Sequence, residues 1–325
     1  MTMSLRTLVC LLACAAAGWP APVAAGDREQ RTRSRDAAQA AAPTGDERRT
    51  FAVGDGATLD IANVAGDVRI AAGAGDAIVV EAVRRSRGDR RDGAPRIEMR
   101  QVGNRVEVRT RGSASRRSTG AVDYTVSVPR TAAVLARSVS GAVSLTGVDG
   151  EARLESVSGR VEALRAANVA LAKSVSGDVT VRDATTAATL TLTSVSGTVV
   201  VSGIRGRGID ASTVSGDVRL SDVTAARVFA KAVSGDIDFS GALAGGGRYE
   251  FTAHSGDVRL RLPAGASFDL QADTFSGRLS SDFAVTLRST RTGRGATRAL
   301  RGVAGDGAAQ LVVRSFSGDV TLTRQ

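Results

Sequence analysis

The sequence predicts an all-β chain: a single-chain parallel β-solenoid (β-helix) with rungs of about 18–21 residues. Three observations lead there. The tetrapeptide S-V-S-G, often followed by D-V, recurs with small changes around Gly141, Gly159, Gly177, Gly197, Gly216, Gly235, Gly256, Gly277 and Gly318. Those glycines are spaced by 18, 18, 20, 19, 19, 21 and 21 residues, and then by 41. Around each of them apolar and polar residues alternate with period two, the mark of strand. Aromatic residues are only 3% of the chain, which suits thin stacked layers better than a globule built around large side chains.

The elements follow in order. Residues 1–25 read as a signal peptide: Arg6 precedes the short apolar run "TLVCLLACAAAGW", and Val23 and Ala25 are small residues before a cut after Ala25. The run is too short to span a bilayer comfortably, and no later segment offers a transmembrane span. "LLAC" leaves a second reading open, a lipoprotein acylated at Cys14. Export to the periplasm, the cell surface or the medium is expected. Cys10 and Cys14 both lie within the signal, so the mature chain has no disulfide and no Cys-ligated metal. Residues 26–50 mix both charges without an apolar period and read as a disordered linker. Residues 51–325 form the repeat domain, which opens on a weak copy, A-G-D-V, at Gly66.

Basicity is local. Residues 84–117 hold twelve Arg against four acids, and residues 287–301 hold five Arg and no acid, within a formal total of +10. Both read as Arg-rich insertions. The second is expected to replace a degraded copy between Gly277 and Gly318.

Positions counted from the glycine give the rung. Seven and five before it stand Val, Ala, Leu, Ile, Tyr or Phe; two after it stands Val, Ile or Leu. Each repeat therefore holds two short strands joined at S-G-D. At about 4.8 Å per rung, thirteen or fourteen rungs would extend on the order of 65 Å. The nine glycines are expected as structural turn residues, needing positive φ or close approach of neighbouring rungs. The Ser before each glycine is expected to bond from rung to rung, and the Asp after it to bond its own backbone. Position −2 is nearly always Val or Phe, and strict alternation points it outward. The corner is expected to break the alternation and turn it in; otherwise an exposed Val ladder would be a contact surface.

These residues resemble a bacterial putative-adhesin family of exported β-strand-repeat proteins, a family without an established activity. The S-V-S-G-D-V copies carry the likeness, with "YTVSVPRTAAVLARSVSG" (124–141) and the closing "GDGAAQLVVRSFSGDVTL" (305–322). The resemblance implies a repeat fold and has no catalytic residues to carry over.

The chemistry reads as non-enzymatic, with no cofactor. The lone His254 replaces a Val of its column, and no G-x-S-x-G elbow surrounds any copy. Asp178, Asp217, Asp236, Asp257 and Asp319 share a column that would suit Ca²⁺, but the column also accepts Ala142, Arg160, Thr198 and Arg278. No metal is expected. Arg84, Arg85, Arg87, Arg90 and Arg91 are the candidate binding residues, for an anionic cell-surface glycan or lipid. Nucleic acid is not expected, because aromatic stacking partners are scarce. The functional expectation is an adhesin or envelope scaffold. A rod that self-associates through open end rungs is the alternative, and a polysaccharide-active enzyme on a β-helix is the second.

Overall fold

The computed structural model describes residues 43–85, 95–111, 120–291 and 298–325. The signal peptide, Cys14, most of the linker, and Arg87, Arg90 and Arg91 lie outside the described residues. Every regular element described is a strand, so the all-β expectation holds. Among these residues no helix is long and apolar enough to cross a membrane.

Alternation builds each layer. In Ala152–Ser158, residues Ala152, Leu154 and Ser156 point inward; after the corner, Val161 and Ala163 of Val161–Leu164 do the same. Neighbouring copies pair in parallel. Ser156 lies between Ser138 and Ser174, and Val161 lies between Val143 and Val179. The inner apolar side chains of all layers join in one hydrophobic core cluster. The arrangement is solenoid-like.

Backbone pairing runs straight through the corner. Gly141 N–H donates to Ser158 O (3.0 Å), and Val143 N–H donates to Arg160 O (2.9 Å). The corner glycines are closed to any side chain. A Cβ on Gly235, where φ is +149°, would lie 1.9 Å from the carbonyl oxygen of Gly216 in the layer beside it.

The layers do not follow chain order throughout. Arg248–Ser255 pairs with Ala309–Ser317, which in turn pairs with Phe268–Ser276. The last repeat is thus inserted between the layers of Gly256 and Gly277. Among the described residues of the 41-residue interval, no further corner joins the stack. The chain passes instead through Thr286–Arg291 and Arg298–Ala304, which pair antiparallel with each other. The second of them also lies antiparallel against Phe268–Ser276 and covers that layer.

The other end is closed by the same device. Arg105–Arg111 extends the layer of Thr58–Ala65 in parallel, and Arg96–Val102 pairs antiparallel on it. Ala121–Pro129 extends the layer of Val68–Gly73, followed antiparallel by Ala77–Arg85 and then Pro43–Ala52. Strand therefore begins at Pro43, inside the range 26–50 read as linker. Ten corners stack in register (Gly66, Gly141, Gly159, Gly177, Gly197, Gly216, Gly235, Gly256, Gly318, Gly277) rather than thirteen or fourteen. Parallel strands Arg105–Arg111 and Ala121–Pro129 extend the first layer, and antiparallel strands then cover both ends of the strands that precede the corners.

Candidate functional site

What the stack offers to a partner is set by its outward positions. In Val169–Ser176, Ala172 and Ser174 are buried while Lys173 and Val175 are exposed. The alternation survives to position −2, and the corner turns only afterwards, at Ser-Gly. Position −2 therefore faces outward, correcting the expectation that the corner folds it in. In stacking order the column reads Val64, Val139, Val157, Val175, Val195, Val214, Val233, His254, Phe316 and Phe275. Its valines and phenylalanines are 37–52% exposed apart from half-buried Val233. At the aromatic end His254 stacks on Phe316 (centroids 4.9 Å apart, 11° between planes), and Phe316 stacks on Phe275 (4.9 Å, 2°). Lys231, Val233, His254, Phe275, Arg314 and Phe316 line a shallow depression there of about 720 Å³. The row is apolar except for His254, and exposed apolar residues aligned in this way form a candidate contact surface.

The inner neighbour of that row is polar. Ser156 Oγ donates to Gly141 O (3.0 Å), Ser174 to Gly159 O (2.9 Å), Ser194 to Gly177 O (3.0 Å), and Thr213 Oγ1 to Gly197 O (3.0 Å). The rung-to-rung hydroxyl is thus the first serine of S-V-S-G, not the second. Alternation puts position −3 inside the corner, beside the carbonyl of the previous layer. It leaves Ser140, Ser158 and Ser176 in solvent.

The Asp column also bonds between layers rather than to its own turn. Asp217 Oδ1 accepts the Asp236 N–H (3.1 Å), Asp236 Oδ1 accepts the Asp257 N–H (2.9 Å), and Asp257 Oδ1 accepts the Asp319 N–H (2.9 Å). Arg259 bridges Asp236 and Asp257 at 2.7 Å each. Burial works to raise the Asp236 carboxyl, but the Asp257 N–H and the Arg259 guanidinium outweigh it and hold it below its ordinary value. Repulsion along the column is relieved by backbone N–H groups and arginine.

Of the five candidate arginines, the structure places two. Arg84 pairs with Glu47 (3.0 Å), and Arg85 pairs with Asp123. Farther along the same Arg-rich segment, Arg100, Arg109 and Arg111 join Arg49, Glu98 and Glu107 around a cleft of about 610 Å³. Arg109 grips buried Asp60 with both nitrogens (2.7 and 2.8 Å), and Arg105 binds the same carboxylate.

A family model described as Toastrack DUF4097 matches residues 57–323. The chain belongs to the Toastrack family. No curated protein matches it significantly. Similar solved structures include a putative lipid binding protein from Parabacteroides distasonis (10% identity, TM-score 0.47, covering 87% of this chain and 98% of that one). A putative adhesin from Bacteroides fragilis (11%, 0.40, 86% and 97%) and a putative cell adhesion protein from Clostridium sporogenes (10%, 0.24, 86% and 100%) are also similar. In this Toastrack chain the matched range holds all ten corners and the whole apolar row. Two columns sit elsewhere than expected: the hydroxyl that bonds between layers is the first serine and not the second, and position −2 faces outward, as in the alternative reading. The signal for both is plain alternation: counting by twos from position −7 puts −3 inside and −2 outside.

Proposed function

We propose that this Toastrack chain is a non-enzymatic, exported β-solenoid, an adhesin-like contact or scaffold protein of the cell envelope that docks through its apolar ladder. The exposed row from Val64 to Phe275 carries this reading. The residue types that hydrolysis would need support it as well, because they are engaged in holding layers together. The buried serines bond glycine carbonyls, the aspartates bond backbone N–H groups, and His254 is stacked against Phe316. The test is retention on isolated envelope fractions after Val157, Val175 and Val195 become Ser. These exposed sites should leave the melting temperature within a few degrees. Lost retention is expected; undiminished retention overturns the reading.

A second reading assigns an anionic glycan or lipid to the Arg-rich segment, supported by the cleft that Arg49, Arg100, Arg109 and Arg111 line. Retention on heparin or lipopolysaccharide should then fall with salt. It should also fall when Arg100 and Arg111 become Ser, and unchanged retention removes the cleft from the account.

A further inference from the structure

The apolar ladder is flanked by two charged columns, and their signs are related layer by layer. On one side stands position −4, two residues back on the same outward face. On the other, across the corner, stands position +1. Five layers carry a charge at both places, and in all five the signs are opposite: Glu155 with Arg160, Lys173 with Asp178, Lys231 with Asp236, Arg314 with Asp319, and Asp273 with Arg278. In the other five layers at least one of the two is uncharged, as in Arg137 with Ala142 and Thr252 with Asp257. No layer carries like charges on both flanks.

That pattern selects one occupant. A second copy related by a two-fold axis running along the ladder brings valine against valine. It also sets the −4 column of each copy opposite the +1 column of the other, at the same level. Each of the five doubly charged layers then meets opposite charge on both flanks, and no layer meets like charge. Reversing one copy at full overlap sets Arg137 against Arg314, Lys173 against Lys231 and Asp178 against Asp236, and gains only Asp67 with Arg278 and Arg160 with Asp257. We propose that the chain associates as a parallel, side-by-side homodimer along its apolar ladder. The proposal rests on reading the ladder as a docking face. A parallel second copy repeats the layer period of the first, so that each layer meets its equivalent.

The area sets the strength. Ten layers at about 4.8 Å give a strip ~45 Å long. At a width of about 10 Å, two such strips bury roughly 900 Å² together, at the low end of specific interfaces. The dimer is therefore weak, with a dissociation constant on the order of tens of micromolar. It is favoured where copies are concentrated on a surface.

The experiment is sedimentation of the mature chain across a concentration series, with two charge variants measured alone and mixed. Glu155→Arg makes both flanks of its layer positive, and Arg160→Glu makes both negative. Each homodimer then carries two repelling rows, and its dissociation constant should be about tenfold larger than that of the wild type. Mixed one to one, each flank of one variant meets its opposite on the other, and heterodimers form with the wild-type constant. A reversed arrangement gives no such rescue. Val157→Ser with Val175→Ser should abolish association with the fold intact. A strict monomer at every concentration, or variants that mix without rescue, overturns the dimer. If envelope retention still depends on the valines in that case, the docking reading stands and only its occupant is wrong; if it does not, both fall.

Discussion

At the residue scale the repeat divides its two serines by a single step of alternation. Ser174 is fully buried and its hydroxyl is bonded to Gly159 O, whereas Ser176 lies in solvent. Ser174→Ala should cost about 1 kcal/mol in urea unfolding, and Ser176→Ala less than about 0.5 kcal/mol. Equal costs would contradict the assignment. Gly235→Ala drives a Cβ into the Gly216 carbonyl and should cost more than either, about 3 kcal/mol or above. Asp60 gives a pH dependence. Its side chain is 2% exposed, and burial works to raise its carboxyl. Arg109 and Arg105 outweigh burial and hold the carboxyl below its ordinary 3.8. A depressed carboxyl contributes stability that is present above the unfolded value and lost as pH falls through the folded one. Asp60→Asn should therefore cost about 2 kcal/mol at pH 7. The gap to wild type should close as pH drops below 3.8; a gap constant with pH would deny the ion cluster that role.

At the element scale the two-strand layer was legible in the sequence, and the covers were not. Period two around each glycine places Leu154, Ala172, Val161 and Val179 in the core, where they are found. The covers are made from the Arg-rich segments, whose alternation is diluted by charge. Ile97 and Met99, or Val106 and Val108, are short apolar sets between arginines and read as insertions rather than strands. Arg111 and Arg100 pair with Glu98 and Glu107, and Arg109 reaches in to buried Asp60, so charge and strand coexist. The cover formed by Thr286–Arg291 and Arg298–Ala304 protects the edge of Phe268–Ser276. Joining Val285 directly to Gly305 should leave that edge bare and cause concentration-dependent aggregation in light scattering. A shortened chain that stays as soluble as the parent would show that the edge needs no cover.

At the scale of the whole molecule, near-identical corners hide the order in which layers stack. "SGDV" at Gly256 and at Gly318 present the same N–H and carbonyl groups, so a neighbour in the stack need not be a neighbour in the chain. The columns could be read from the sequence, but the placing of the last repeat between its two predecessors could not, because it depends on where the antiparallel cover returns the chain. That placing completes the ladder, since it sets Phe316 between His254 and Phe275. A cysteine pair tests it directly, because residues 43–325 contain no cysteine. Adjacent parallel strands hold facing Cα atoms about 5 Å apart, within disulfide range, and strands two layers apart hold them near 10 Å, beyond it. The double variant His254→Cys with Phe316→Cys should form an intramolecular disulfide on mild oxidation, and His254→Cys with Phe275→Cys should not. The reverse result would mean that the layers follow chain order, and the ladder described here would not exist in this form.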